Sequence, residues 1–246
     1  VHRFFTPNLD PGDEAVTLPR SEAEHLTRVL RLGVGDTVSV FDGRGHEFLA
    51  RVAGATRRDV RVELLSRIQP AAESTVPLTL AQAVLKGDKM DDVVRDAVML
   101  GVTAVQPLVT QRSETTVAAL LRGARVERWK RVALASVKQS RRAVFPDIRT
   151  PLTFETFLTE PRAELTLMFV EPAVSPATSL ALLPRQRIPA DASILIGPEG
   201  GWTDQECALA SERGITLVSL GPRTLRADAV PVAAISVLQF LWETWA

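Results

Sequence analysis

The densest concentration of potential chemistry in this 246-residue chain is the run Ile194-Leu195-Ile196-Gly197-Pro198-Glu199-Gly200-Gly201-Trp202-Thr203-Asp204-Gln205-Glu206. An apolar strand enters a bend with three glycines, and Thr203 followed three residues later by Glu206 has the pattern of a capped helix. Glycines at such a bend let the main chain come close to a bound group and leave N–H donors to hold it. The run lacks the GxGxxG spacing of a dinucleotide site, and no Gly-Lys-Ser/Thr follows to make a Walker loop. A tight turn serving only the fold is the plain alternative. A second bend, Leu220-Gly221-Pro222-Arg223-Thr224-Leu225-Arg226-Ala227-Asp228-Ala229, also follows an apolar strand. In an open parallel sheet both bends leave at the carboxyl edge, where ligands bind between adjacent loops, so the two imply one pocket. Arg223 and Arg226 suit a phosphate or a base, and a helix starting near Asp228 is expected to add backbone N–H groups. A solvated turn with an ordinary ion pair is the other reading.

Basic side chains point to a partner. Between Leu121 and Ala143 lie Arg122, Arg125, Arg128, Lys130, Arg131, Lys138, Arg141 and Arg142, with Glu127 the one acid among them. Like charges this dense repel, which favours a polyanion; a merely solvated helix face is the alternative. His2, Arg3, Arg20, His25, Arg28 and Arg31 add to the basic side chains nearer the start. The chain as a whole is not a polycation, because 29 lysines and arginines balance 29 aspartates and glutamates. His2, His25 and His46 lack metal-ligand spacing, so no metal is expected. Cys207, the single cysteine, reads as a small buried hydrophobe on a helix rather than a nucleophile, and no GxSxG occurs. With no run near the roughly 18 apolar residues of a membrane span, no secretory pattern and no cysteine pair, a cytoplasmic setting is expected.

These residues need a framework, and the 46% hydrophobic content suffices for one large core or two ordinary ones. Up to about Arg67 the pattern is β-rich. Asp36–Phe41, the turn Asp42-Gly43-Arg44-Gly45 and His46–Val52 read as a hairpin, with Val60, Val62 and Leu64 alternating on a third strand. A helix is predicted over Ser21–Arg31, with Ser21 and Glu24 as a capping-box pair. Residues 1–70 thus form a small β-barrel-like module, and 71–77, within the polar, proline-bounded Gln69–Pro77, form a linker. From 78 to 246 apolar strands alternate with helical patterns. The strands are Leu78–Leu85, Val102–Val109, Leu165–Val170, Ala192–Ile196 and Ile215–Leu220. The helices are Lys89–Leu100, Val126–Arg142, Asp204–Arg213 and Val230–Trp245. This is the signature of an α/β domain with a mostly parallel sheet covered on both faces. The last helix is apolar nearly all round and must be buried on most sides, within one chain or against a second copy. A dimer interface is favoured because the sheet is already covered.

Several dispersed strings fall in the order seen in one known family. They are Lys86-Gly87-Asp88-Lys89-Met90-Asp91, Leu100-Gly101-Val102, Pro107-Leu108, Arg112-Ser113, Glu127-Arg128-Trp129 and Gln139-Ser140, followed by the two Gly-Pro bends. With HRFF, HLTRVLRL and GDTVSVFDGRG near the start, the chain resembles the RsmE family of bacterial 16S rRNA (uracil-N3)-methyltransferases over nearly its whole length. The resemblance implies a PUA-like RNA-binding domain followed by a SPOUT-class domain with a deep trefoil knot. It further implies a homodimer formed through that domain, S-adenosyl-L-methionine as cofactor and 16S rRNA, within the small ribosomal subunit, as partner. Carried over by position, Gly197, Pro198, Glu199, Gly200 and Gly201 would line the cofactor. Leu220, Gly221, Pro222, Arg223, Thr224 and Leu225 would form a second wall, and Phe169, Val170, Glu171 and Pro172 a third.

On this resemblance Arg226, with Arg3 reaching in from the small module, is expected to stabilise a developing uracil anion. Asp228 is expected to take the N3 proton or to orient Arg226. Arg20, Arg28, Arg31, Arg125, Arg128, Lys138, Arg141 and Arg142 are expected on RNA. The chain departs from the family pattern twice. Arg226-Ala227-Asp228-Ala229-Val230 stands where Arg-Thr-Glu-Thr-Ala is usual, and Lys138-Gln139-Ser140 where Glu-Gln-Ser is. The charge reversal at Lys138 implies either stronger RNA attraction or a changed local ion pair. The rival functions are methylation of another base or a ribose 2′-hydroxyl by a related knotted enzyme, a non-catalytic PUA-type RNA-binding protein, and an unrelated enzyme holding a phosphate in the Gly-Pro bends.

Overall fold

The computed structural model describes residues 1–56, 58–174, 177–180 and 188–242. They fall into two compact units, Val1–Glu73 with Leu134–Phe145, and Ser74–Ala133 with Pro146–Ala246. A single cut at 71–77 therefore misses the return of residues 134–145 to the first unit. Main-chain bonds account for the return: Gly45 N–H donates to Ala143 O (3.0 Å), Phe145 N–H to Gly43 O (2.8 Å) and Ala71 N–H to Arg141 O (3.1 Å). Periodicity says nothing about such long-range pairing.

In the first unit, β1 (Arg3–Phe5), β2 (Ala15–Thr17), β3 (Thr37–Phe41), β4 (Glu47–Ala55) and β5 (Val60–Ile68) form one sheet in the order β1-β3-β4-β5-β2. Among the described strand pairings of this sheet, β1–β3 is parallel and the others are antiparallel. The expected hairpin is present, with Phe41 opposite Glu47. The buried Asp42 carboxylate closes its turn by accepting the N–H groups of Arg44 (2.7 Å) and His46 (3.1 Å). Val60 and Val62 point inward onto Phe4, Val38 and Val40. The helix departs from its prediction: α1 (Arg20–Glu24) continues as a π-helical turn over His25–Val29, and Ser21 caps nothing. Pro19, at φ −53°, starts the helix one residue early, which puts Ser21 inside the first turn.

The second unit contains β6 (Leu78–Ala83), α2 (Lys89–Met99), β7 (Ala104–Val109), α3 (Val117–Arg122) and the start of α4 (Arg125–Gln139), whose end belongs to the first unit. There follow β8 (Asp147–Ile148), β9 (Leu152–Thr153), α5 (Phe154–Phe157), β10 (Leu165–Phe169), β11 (Thr178–Ser179), β12 (Ala192–Ile196), α6 (Asp204–Glu212), β13 (Thr216–Ser219) and α7 (Val230–Leu241). The sheet order is β11-β13-β10-β12-β6-β7-β8 with β9 beside β7, and every described pairing is parallel. Ala81, Leu108, Met168 and Leu195 from its strands cluster with Phe154 of α5 and Cys207 and Ala210 of α6. Helices α2 and α7 contact each other, and Gln239 donates to Leu100 O. The terminal helix is not buried all round, since Phe240 is 73% exposed. Trp245 lies outside the described residues. Strand order decides where chemistry can occur: β10 lies between β12 and β13, so the segments leaving Phe169, Ile196 and Ser219 converge at one carboxyl edge.

Candidate active site

At that edge opens a cleft of about 550 Å³, within the usual size range of small-molecule sites. Phe169, Val170, Glu171 and Pro172 line it after β10; Gly197, Pro198, Glu199 and Gly201 after β12; and Leu220, Arg223, Thr224, Leu225, Arg226 and Asp228 after β13. The two Gly-Pro bends therefore share one pocket. Three expected residues are not on its wall: Gly200, Gly221 and Pro222. Gly200 turns toward Arg112, whose Cβ and Cδ would lie 3.3 Å from an added Cβ. Gly221, at φ +78°, shapes the second bend, and a Cβ there would meet nothing. Successive residues of a bend point in different directions, so the bend lines the cleft with only some of them.

The first bend is a tight turn that also forms one wall of the cleft. Gly201, at φ +69°, donates its N–H to Pro198 O (2.9 Å). The Trp202 indole N–H donates to Phe169 O (2.9 Å), and the indole packs on Phe154 at 5.2 Å between ring centres. Arg112 Nη1 donates to Gly200 O (2.6 Å). The expected capping box forms, with the Glu206 carboxylate accepting Thr203 N–H (2.8 Å) and Thr203 Oγ1 accepting Glu206 N–H (3.2 Å). The second oxygen of the fully buried Glu206 accepts Gln111 N–H (2.9 Å), tying the loop after β7 to α6.

Charge inside the cleft is arranged in pairs. Glu199 Oε1 accepts Lys89 Nζ (2.9 Å) and Lys86 N–H (3.2 Å). Burial disfavours the Glu199 carboxylate, yet these bonds outweigh it and hold the group below the usual glutamate range. Arg226 grips Asp228 through Nε and Nη2, both at 3.1 Å. Burial again opposes ionisation, and the Arg226 bonds, the Asp228 N–H and the Lys89 charge again win, so Asp228 is a stronger acid than usual. The expected free N–H groups at the start of α7 are already used: Ala229 and Val230 both donate to Arg226 O (2.9 and 3.2 Å), and Pro231 has no N–H to offer. Lys89, Arg112 and Trp202 also line the cleft and were not among the expected site residues. Lys89 and Arg112 follow β6 and β7, and their proximity to the bend after β12 depends on strand order, which local pattern does not carry.

Residues 72–239 match the RNA methyltransferase domain family, and residues 18–65 the RNA methyltransferase PUA domain family. The chain is 36% identical over 236 residues to ribosomal RNA small subunit methyltransferase E of Synechocystis sp., covering 94% of this chain and 75% of that protein. The chain belongs to the ribosomal RNA small subunit methyltransferase E family. The fold agrees with solved structures. The methyltransferase E of Neisseria gonorrhoeae bound to S-adenosyl methionine superposes with a TM-score of 0.87 at 31% identity, over 98% of each chain. A Legionella pneumophila protein solved in complex with the same cofactor gives a TM-score of 0.87 at 30% identity, over 97% of this chain and 96% of that one. The family's PUA and methyltransferase domains, the second on a parallel sheet, are thus the architecture of this chain.

Two sets of expected residues take other roles in this family member. Arg3 is structural. Its Nε and Nη2 donate to the Glu47 carboxylate (2.9 and 2.8 Å), Nη1 to the carbonyls of Val137 (2.9 Å) and Lys138 (2.8 Å), and Nη2 also to Arg142 O (2.8 Å). The guanidinium lies over the Phe41 ring at 4.7 Å, and all five donors are engaged, leaving none for a base. Half of the basic tract is paired with acids, most of them distant in sequence. Lys138 pairs with Glu22 (2.5 Å), Arg142 with Glu73 (2.5 Å), Lys130 with Glu127 (2.8 Å), and Arg128 with Asp88 (3.0 Å) and Asp91. Arg125 donates to Leu85 O (3.2 Å) and lies beside Trp129. Of the two readings of the Lys138 departure, the changed ion pair is the one the geometry carries. Arg20 pairs with Glu24 at the surface, whereas Arg28, Arg31 and Arg141 are exposed and meet no carboxylate among the described residues. Cys207 is buried, and burial with the nearby Asp204 and Glu206 charges pushes its thiol up, consistent with a packing role. Among the described residues no cluster of three potential metal ligands occurs, and no helix is long and apolar enough to cross a membrane.

Proposed function

We propose that this chain transfers the methyl group of S-adenosyl-L-methionine to N3 of a uracil in 16S rRNA, as a cytoplasmic enzyme acting on the small ribosomal subunit. The observation that carries the reading is the convergence of three loops on one cleft beside β10, with apolar walls and paired charges. The cleft fits the cofactor by its chemistry. Val170, Ile196, Leu220 and Leu225 offer apolar surface for a purine and ribose, while Glu171, Lys89 and Arg112 offer charges for an amino-acid end. Bound there, the cofactor supplies an electrophilic sulfonium methyl. The chain's own part is to align the reactants, exclude water and favour loss of the N3 proton.

Arg226 is the group suited to the negative charge that develops on uracil O2 or O4, because its side chain is 75% exposed at the cleft while Asp228 fixes the plane of its guanidinium. Asp228 is engaged by Arg226 at two points and is held below the usual aspartate range, which favours its part as the group that orients Arg226. The trefoil knot belongs to this reading through the family's methyltransferase domain, matched over residues 72–239. A homodimer through the same domain is supported by the apolar surface of Val232, Val237 and Phe240 on α7 with Met99 of α2. Exposed Arg28 and Arg31 on the PUA-like unit are the RNA contacts this reading favours.

The test is to incubate the protein and methyl-labelled cofactor with unmodified small subunits and, separately, with free 16S rRNA, and to identify the labelled nucleoside. 3-Methyluridine is the expected product. Label on another base or a ribose would replace the target, and absence of transfer with intact cofactor binding would reject catalysis on this RNA.

A further inference from the structure

One reason for glycine at position 197 would be close approach of the main chain to a ligand. The neighbouring atoms give a different reason. A Cβ on Gly197 would lie 3.0, 3.2 and 3.3 Å from Nε1, Cε2 and Cδ1 of Trp202, contacts tighter than side chains ordinarily make. Gly197 has no positive φ among the described glycines, so its backbone conformation alone does not demand glycine. The indole that fills this space donates to the carbonyl of Phe169, the last residue of β10, and packs on Phe154. One side chain therefore touches both Phe169 and Gly197, which begin two of the cleft's three walls.

We infer that Trp202 is a positioning residue, a clasp that fixes the spacing of the Phe169–Pro172 wall and the Gly197–Gly201 bend, and that position 197 is glycine to admit the indole. The inference deepens the cofactor-binding reading of this cleft and rests on it. The clasp sets affinity for the cofactor while leaving the reacting atoms to other groups, so its loss raises KM for the cofactor more than it lowers kcat. Gly197 and Trp202 are also energetically coupled. Gly197→Ala costs affinity only while the pyrrole side of the indole is there to be displaced.

The experiment is a double-substitution cycle in the full chain, with cofactor Kd measured by calorimetry and kcat measured at saturating cofactor. Gly197→Ala alone is expected to weaken cofactor binding by about 10-fold or more, and in a Trp202→Phe background by about 3-fold or less. Trp202→Phe alone is expected to weaken it by about 5-fold, the worth of one hydrogen bond, with kcat within about 2-fold of the parent. Additive effects of the two substitutions, or a fall in kcat with Kd unchanged, would overturn the clasp. Should Trp202→Phe fail to fold, replacing Trp202 by its benzothiophene isostere removes only the N–H donor. The same loss of affinity is then expected, and unchanged affinity rejects the inference. A parent protein that binds no cofactor would instead reject the methyltransferase reading, and this is seen before any variant is made.

Discussion

Replacing Arg3 by methionine separates the structural role of that residue from the catalytic one its sequence position suggested. The Arg3 and Glu47 side chains are 10% and 6% exposed, so the substitution strands a buried carboxylate, left with the Ser39 hydroxyl as its remaining side-chain donor. It also removes the donors to the carbonyls of Val137, Lys138 and Arg142. Breaking a buried ion pair by removing one partner costs about 3–5 kcal/mol, and each abandoned carbonyl adds to that unless water reaches it. For a unit of this size 1 kcal/mol corresponds to about 4–8 °C, so the melting transition of the first unit should fall by more than about 10 °C. Arg3→Lys should recover little, since a point-like ammonium with three donors cannot reproduce the fork. Adding Glu47→Leu to Arg3→Met should regain much of the loss by removing the stranded charge. The assays are calorimetric unfolding and single-turnover methyl transfer below the variant's transition. A variant that melts like the parent but transfers methyl groups orders of magnitude more slowly would refute the structural assignment and restore Arg3 to the chemistry.

Five further variants probe the cleft and the charges outside it. Arg226→Ala should lower the single-turnover rate by about 100-fold or more with cofactor affinity changed by less than about 3-fold, while Asp228→Asn should lower the rate without moving the pH–rate profile; a shifted acidic limb would make Asp228 a base after all. The Glu199 carboxyl is depressed in the fold, so its pairing with Lys89 contributes stability that is fully present above the ordinary glutamate pKa of about 4.3 and is lost as pH falls through the lower folded value. The melting difference between the parent and Glu199→Gln, worth at most about 1 kcal/mol for so exposed a pair, should be constant from neutral pH to about 5 and vanish in stronger acid. Arg28→Ala with Arg31→Ala should weaken RNA binding and flatten its dependence on salt, whereas Lys138→Ala should destabilise the protein by stranding Glu22 and leave the salt slope unchanged.

Local pattern was a good guide wherever the relevant contacts lie within a few residues. The Thr203–Glu206 capping box, the hairpin across Asp42–His46 and the inward alternation of Val60 and Val62 are all governed by short-range geometry, and all are present. The same kind of reading failed at Ser21, where the proline two positions earlier outranked the capping signal. It was incomplete for the basic tract, because counting charge along α4 omits Glu22, Glu73, Asp88 and Asp91, which reach Arg128, Lys138 and Arg142 only through folding.

The amino-acid order alone was enough to specify the strand–bend–helix units, the two glycine-proline bends and membership in a family, since each depends on residue types at fixed short spacings. Tertiary structure decided which residues meet. The insertion of β10 between β12 and β13 brings Phe169 to the Trp202 indole, and the neighbouring strands bring Lys89 to Glu199. It also decided that Arg3 gives all its donors to Glu47 and three distant carbonyls. The physical reason is the same in each case: a guanidinium, an ammonium or an indole N–H takes its role from the acceptor within about 3 Å of it, and strand order rather than sequence neighbourhood selects that acceptor.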